Sequence, residues 1–267
     1  MSETFCKDPR GELRAWFAGT RSGVVLQGLE ADYLRGAVCM GYGKNLAQLG
    51  VNGWEERYLD ADCGCALIVE PDMSLAISPG TRWIRAEFVQ LPLDTESVDV
   101  LILPHVLEFE PDRHQLLREA ERVLKPEGRL HILGFNPLSL HAWWRPAGSS
   151  PLHWGCISPG RVLDWLSLLQ FTAEWKAGMS ASLARVSYPC RSLGDHVVAT
   201  FSTVYAIRAI KRTYHYIPLN SRAVSHPQIL PQGAVGASSR APHASGATRA
   251  ERLSGVLRGN PFQVDRS

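Results

Sequence analysis

Residues 91–136 read LPLDTESVDVLILPHVLEFEPDRHQLLREAERVLKPEGRLHILGFN, and this stretch decides the fold. The apolar runs at residues 98–103 and 129–135 each predict a buried strand. Between them, Asp112 is suited to cap a helix, and Gln115 completes a capping box three residues later. A strand, an amphipathic helix and a second strand in this order are half of a doubly wound parallel sheet.

Apolar segments on both sides extend this alternation of helix and strand. Residues 24–34 have the spacing of an amphipathic helix, residues 46–49 suit a short helix, and Ser158-Pro159 is a helix start. The other predicted strands are residues 37–40, 66–69, 83–86, 171–179 and 197–210. We therefore predict the α/β class, with a mostly parallel sheet covered by helices on both faces.

Composition divides the chain of 267 residues into three parts. Residues 1–22 form a lead-in that we expect to be poorly ordered, with a short aromatic anchor at Trp16-Phe17. Residues 23–212 form the folded domain. Residues 213–267 are rich in Pro, Gly, Ser, Ala and Arg and hold few large apolar side chains, so we predict that this tail is disordered.

The charge balance disfavours a nucleic-acid substrate. The net charge of the chain is +2, but residues 213–267 hold six arginines and two acidic residues, which leaves about −2 on the rest. The predicted domain thus has no general basic surface for a polyanion.

Other composition signals point to a cytoplasmic protein without a metal. No apolar run reaches the ~18–20 residues that span a bilayer, and the N-terminus lacks the layout of a secretory signal. The six cysteines have no paired CxxC spacing, so we expect reduced thiols and no metal site.

Three segments carry a family resemblance. Residues 97–109, SVDVLILPHVLEF, match the pattern S-F-D-L-V-x-x-x-x-V-L-E-H; residues 85–93, RAEFVQLPL, resemble G-D-A-x-x-L-P-F; and residues 68–78, IVEPDMSLAIS, resemble V-D-x-S-x-x-M-L. These patterns are typical of class I S-adenosylmethionine-dependent methyltransferases of the broad type 11 group. The resemblance implies a Rossmann-like, seven-stranded sheet whose last strand is antiparallel, with S-adenosylmethionine as the cofactor.

The resemblance also implies a glycine-rich turn after the first strand. On the predicted strand at residues 37–40, that turn is Gly41-Tyr42-Gly43, because close approach of backbone to a ligand requires glycine. Cys39 stands where the family usually has an acid. The turn is a cofactor loop on this interpretation, and a plain tight turn on the alternative one.

Four further residues are implied as cofactor contacts. Glu70 takes the position whose carboxylate accepts from both ribose hydroxyls, which suits an acceptor-only group. Glu87 takes the position that accepts from the adenine amino group, Phe88 lies beside the ring, and Pro104 lies beside the methyl donor. The alternative for Glu70 is an exposed strand end.

His105 and Asn136 are the candidate catalytic residues. The pKa of a histidine lies near neutrality, so His105 can act as a general base, or its ring can simply line the pocket. Asn136 offers a donor and an acceptor at the start of a long loop. That loop also carries Trp143, Trp144, Arg145 and Trp154, which can contact substrate or merely pack the loop. Asp99 is expected to orient a neighbouring loop.

The expected function is methyl transfer from S-adenosylmethionine to an unidentified small-molecule acceptor. Residues 104–107, PHVL, are not the Asn/Asp-Pro-Pro-Tyr/Phe box of enzymes that methylate amino groups of nucleic acids and of protein glutamine. Two alternatives remain: a catalytically degenerate methyltransferase fold that serves as a binding scaffold, and, more distantly, a nicotinamide-dependent oxidoreductase.

Overall fold

The computed structural model describes residues 9–38, 44–59, 65–72, 82–139 and 155–212. All of them belong to the first of the two units into which the chain divides, Met1–Tyr216. Most of the predicted disordered tail, from residue 213 onward, lies outside the described residues, so that prediction stays open.

The described residues form one mixed sheet and five α-helices. The helices are α1 (Pro9–Gly19), α2 (Arg21–Val38), α3 (Arg113–Val123), α4 (Pro159–Leu168) and α5 (Leu193–Thr200), with a short 3-10 helix at Glu55–Arg57. The strands are β1 (Asn45–Leu49), β2 (Cys65–Val69), β3 (Trp83–Ile84), β4 (Val98–Pro104), β5 (Leu124–Phe135), β6 (Phe171–Ser180), β7 (Arg185–Ser187) and β8 (Val204–Lys211).

The strand order is β3-β2-β1-β4-β5-β8-β6-β7. β1 is parallel to β2 and β4, and its central residue Ala47 pairs with Leu67 on one side and Leu101 on the other. β8 runs antiparallel to β5, as the resemblance implied. The chain moves outward from β1 in one direction and from β4 in the other. The carboxyl ends of these two strands therefore flank the switch point, where open α/β sheets bind ligands.

The sheet has an apolar core on each face. Alternate residues of β4 point to opposite sides: Leu101 and Leu103 pack with α3 and α4, whereas Val100 and Ile102 pack with α1 and α2. Helices on both faces confirm the predicted three-layer α/β architecture.

Two local predictions are confirmed by hydrogen bonds. Asp112 caps α3, since its Oδ1 accepts from the backbone N–H of Gln115 at 3.1 Å. Asp99 orients a neighbouring segment, because its Oδ2 accepts from Asn45 N at 3.0 Å and from Lys125 Nζ at 2.7 Å.

The first strand was predicted in the wrong place. Residues 37–38 are the end of α2, whose buried Leu26, Leu34 and Val38 keep a helical spacing, and residues 46–49 belong to β1 instead of a helix. The turn that follows the first strand therefore begins at Gly50.

Three more expectations need correction. Residues 9–19 are not a poorly ordered lead-in but helix α1, which buries Leu13, Trp16 and Phe17. The run at 197–210 divides between α5 and β8. The sheet has one strand more than the predicted seven, because the short β7 pairs antiparallel with β6.

Replacing Phe17 by Ala should lower the free energy of unfolding by about 3–5 kcal/mol, the usual cost of truncating a buried aromatic ring. Phe17 is fully buried, and its ring centroid lies 4.5 Å from that of Trp54 and 5.4 Å from that of His105. Urea denaturation measures the change. The control Val24→Ala, on the half-exposed side of α2, should stay within about 0.5 kcal/mol. Equal effects of the two variants would show that α1 does not dock on the sheet.

Candidate functional site

The turn after β1 requires glycine at its first position. Gly50 has φ +85°, a conformation that side chains with a Cβ rarely adopt. A Cβ there would lie 3.2 Å from Val106 Cγ2 and would collide with the guanidinium of Arg10. The backbone at Gly50 is therefore open to close approach by another group.

Gln48 holds this turn in place. Its Nε2 donates to Gly50 O at 2.8 Å and to Glu55 Oε1 at 3.2 Å, and its Oε1 accepts from the Tyr58 hydroxyl at 2.7 Å. The side chain is completely buried, and these bonds compensate the loss of water. Gln48 lies two positions before Gly50, where the family usually has an acid.

Carboxylates accept hydrogen bonds from the backbone N–H groups of the turn. Val51 N donates to Glu70 Oε2 at 2.8 Å, Asn52 N donates to Glu55 Oε1, and Gly53 N donates to Glu55 Oε2 at 2.9 Å. In dinucleotide-binding folds, amides at this place bind the pyrophosphate. Two carboxylates at those donors would repel a phosphate, so the geometry disfavours the nicotinamide-dependent alternative.

Glu70 lies at the end of β2 and is completely buried, so it is not an exposed strand end. Its Oε1 accepts from Arg10 Nη1 at 2.7 Å. The guanidinium carbon of Arg10 lies 5.0 Å from the centroid of the Phe88 ring. The structure thus brings together Gly50, Glu70 and Phe88, which follow the first, second and third strands, with Arg10 between them.

Glu87 and Phe88 have different environments. Phe88 is buried, whereas the neighbouring Glu87 is exposed. The proposed bond of Glu87 to an adenine amino group stays a prediction.

β4 ends at Pro104, and the chain then turns at His105, which has φ +55°. The His105 ring is buried between two carboxylates: Nε2 lies 3.1 Å from Glu30 Oε1 of α2, and Nδ1 lies 3.4 Å from Glu108 Oε1. Positive φ in a non-glycine residue is uncommon and is often found at functional sites.

The surroundings of His105 favour its charged form. Burial lowers the pKa of His105, but the hydrogen-bonded carboxylate of Glu30 and the nearby carboxylate of Glu108 outweigh burial and raise the pKa to about 9. Burial in turn raises the pKa of Glu30. A protonated imidazole cannot accept a proton, so this arrangement supports charge pairing more than the predicted role of general base.

Asn136 uses its side chain to hold the loop after β5. Its Nδ2 donates to Thr200 O at 2.8 Å, and its Oδ1 accepts from Leu138 N at 3.1 Å. These contacts join the end of β5 to the end of α5. They account for a buried amide without substrate contact.

Several predicted residues cannot be placed. The three residues of the predicted turn precede β1 in the chain and lie outside the described residues, as do the aromatic and basic residues of the loop after β5. The first set is Gly41, Tyr42 and Gly43, and the second is Trp143, Trp144, Arg145 and Trp154.

Sequence reasoning missed four residues of this site: Arg10, Glu30, Gly50 and Glu55. The segment LGVNGW at residues 49–54 carried a signal for Gly50, because a glycine follows an apolar run there. No local pattern marks the other three, which reach the site from other elements or fold back onto the turn.

A cavity of about 330 Å³ lies at the amino ends of the strands, on the side of the sheet opposite to the candidate site. Asn45 and Val98, the first residues of β1 and β4, line it. Ligands of open α/β sheets bind at the carboxyl ends of the strands, so the candidate site is at Gly50 and Glu70.

Comparison with known proteins finds similarity to methyltransferases. Residues 38–132 match the family model for the type 11 methyltransferase domain. This segment is similar to a methyltransferase domain. It contains β1 to β4 and most of β5, and S-adenosylmethionine is its expected cofactor.

One curated relative of this chain is the uncharacterized protein YafS of Escherichia coli (strain K12). It is 36% identical over 135 residues, which are 49% of this chain and 53% of the relative. The chain thus spans about half the length of this curated relative.

Solved structures share the fold at low sequence identity. A chain from the complex of the Trm112 methyltransferase activator with a methyltransferase of Haloferax volcanii has a TM-score of 0.54 at 16% identity, covering 78% of this chain and 100% of that one. A SAM-dependent methyltransferase from Archaeoglobus fulgidus has a TM-score of 0.54 at 16% identity, covering 69% and 94%. These likenesses confirm the class I methyltransferase fold.

Within the described part of the chain, no helix combines the length and the apolar character needed to cross a bilayer.

The stability of the protein should fall as the pH rises from 6.5 to 9. In the unfolded chain His105 returns to its usual pKa of 6.5, whereas in the folded protein its pKa is about 9. The folded protein therefore holds an extra proton in this interval, and the stabilisation is complete below pH 6.5 and is lost as the pH approaches 9. Urea denaturation at several pH values measures the slope.

Replacing His105 by Gln should flatten that slope, because the substituted side chain does not titrate. The matched control His196→Gln changes an exposed ring on α5 and should keep the wild-type slope. An unchanged slope in His105→Gln would contradict the assignment of the proton to His105.

Proposed function

We propose that this chain binds S-adenosylmethionine at the carboxyl ends of β1, β2 and β3 and transfers its methyl group to a small-molecule acceptor. The observation that carries the proposal is that Gly50, Glu70 and Phe88 all lie against the guanidinium of Arg10. These residues follow three neighbouring strands beside the switch point, in a segment that matches a methyltransferase domain.

Each of the three residues fits one part of an adenosine group. Gly50 leaves the backbone accessible where a Cβ would collide with its neighbours. Glu70 presents a carboxylate oxygen, and a carboxylate accepts from adjacent hydroxyls such as those of a ribose. Phe88 offers an apolar face for a ring.

The cofactor supplies a methyl group on a positively charged sulfur when it is bound. The chain has to hold the acceptor in line with that methyl group, and such positioning accounts for much of the catalysis in reactions of this kind. His105 fixes the exit of β4, since its backbone N–H donates to Leu133 O at 3.0 Å and its ring pairs with Glu30 and Glu108. We assign His105 and Asn136 to positioning of the loops around the site.

The small-molecule class of the acceptor is supported by charge and by sequence. The chain outside the tail carries about −2, which disfavours a polyanion. The exit of β4 at residues 104–107 also lacks the box that recognises flipped bases and amide nitrogens.

Replacing Glu70 by Gln should raise the Kd for S-adenosylhomocysteine about tenfold or more, because hydrogen bonds to a charged acceptor are strong. Isothermal titration calorimetry measures the Kd. Glu56→Gln is the matched control, since Glu56 is exposed in the 3-10 helix that follows the same turn. Similar Kd values for the two variants would remove Glu70 from the site.

Wild-type protein should bind S-adenosylmethionine or S-adenosylhomocysteine and melt at a higher temperature in their presence. If neither ligand binds at millimolar concentration, the methyltransferase proposal fails. The binding-scaffold alternative would then stand.

A further inference from the structure

Arg10 of α1 lies in the middle of the candidate cofactor site. Its Nη1 donates to Glu70 Oε1 at 2.7 Å, and the two side chains are 16% and 0% exposed. Its guanidinium also lies against the backbone of Gly50 and over the face of Phe88. One side chain therefore touches all three residues that the proposed function assigns to adenosine.

Each of these contacts competes with the ligand. Glu70 Oε2 accepts from Val51 N, and Oε1 accepts from Asp72 N at 3.3 Å and from Arg10 Nη1 at 2.7 Å. The two amides belong to the backbone of the turn and of the β2 exit, so the guanidinium is the donor that a ribose hydroxyl would have to replace. The guanidinium also fills the space that glycine leaves at position 50. A nucleoside needs the same oxygen and the same space, so it cannot occupy the site while Arg10 keeps this position.

We propose that Arg10, in the position described, occupies the adenosine subsite and that the first turn of α1 gates the site. Cofactor binding requires Arg10 to leave Glu70. This inference rests on the proposed function and adds a control on access to the same site.

The position of Arg10 in its helix allows this movement. Arg10 is the second residue of α1, and the N–H groups of a first helical turn have no partners within the helix. The rest of α1 is anchored by the buried Leu13, Trp16 and Phe17. The first turn can therefore change conformation, or the long side chain can swing away, while the helix stays docked.

The gate lowers the apparent affinity for the cofactor. If a ligand binds only when a competing contact is broken, its apparent Kd equals the intrinsic Kd divided by the fraction of molecules in the open state. Part of the binding free energy is used to break the ion pair of Arg10 with Glu70 and its contact with the Phe88 ring. A variant without the guanidinium has no such contacts to break, so its Kd for the cofactor should be lower.

The test compares the Kd for S-adenosylhomocysteine, by calorimetry, of wild-type protein with that of three full-length variants. Arg10→Ala should bind about tenfold more tightly, as expected when a competing closed state is removed. Arg10→Lys should fall between wild type and Arg10→Ala, because lysine keeps a charge for Glu70 but lacks the planar fork. The control Arg21→Ala removes an exposed arginine at the start of α2 and should bind like wild type.

Melting temperatures without ligand provide the second readout. Arg10→Ala should melt below wild type, because the buried Glu70 carboxylate loses its ionic partner. Its ligand-induced rise in melting temperature should nevertheless be larger than that of wild type.

The outcomes separate the gate from the function. Equal or weaker binding by Arg10→Ala, with wild type binding normally, overturns the gate and leaves the proposed function standing. Weaker binding would make Arg10 a ligand of the cofactor. Binding by Arg10→Ala where wild type binds too weakly to measure supports both proposals. No binding by any of the proteins overturns both.

Discussion

The buried carboxylate of Glu70 is the constraint on which the candidate site depends. A charge without water must be paired, and Glu70 is paired with the backbone N–H of Val51 after β1 and with the guanidinium of Arg10 in α1. These two bonds tie the end of β2 to the neighbouring strand and to the N-terminal helix. The closure of the site and the conformation of the glycine turn therefore depend on the same group. In the proposed gate, a nucleoside that enters has to replace the bond of Arg10 with Glu70.

The N-terminal helices belong to the site as much as the sheet does. α1 contributes Arg10 to the space above Gly50, and α2 contributes Glu30 to the buried ring of His105. Phe17 lies between these two contacts, with its ring near those of Trp54 and His105. Both helices cover one face of the sheet next to the carboxyl end of β4. Residues from outside the matched domain segment thus determine the charge and the accessibility of the site.

Much of the fold could be predicted from local patterns, while part of the site could not. The cap at Asp112, the apolar β4 and the orienting role of Asp99 all depend on neighbours in the sequence or on one strong periodicity, and all are confirmed. The first strand was misplaced because β1 contains the polar Gln48. Only tertiary partners, Glu55 and Tyr58, make that side chain compatible with complete burial. Because residues 41–43 contain two glycines, the turn was predicted there. The turn after the first strand in fact begins at Gly50.

The amino-acid sequence by itself determined the alternation of strands and helices, the α/β class and the positions of Glu70, Phe88 and His105 at strand ends. Periodicity and caps act between residues that are close in the chain, and that is why they can be read there. The tertiary structure alone decided that Glu70 is buried, that Arg10 lies 60 residues away in sequence but 2.7 Å from it, and that His105 lies between two carboxylates. Pairing of buried charges depends on which helices pack over the sheet, and packing across the fold leaves no periodic trace in the sequence.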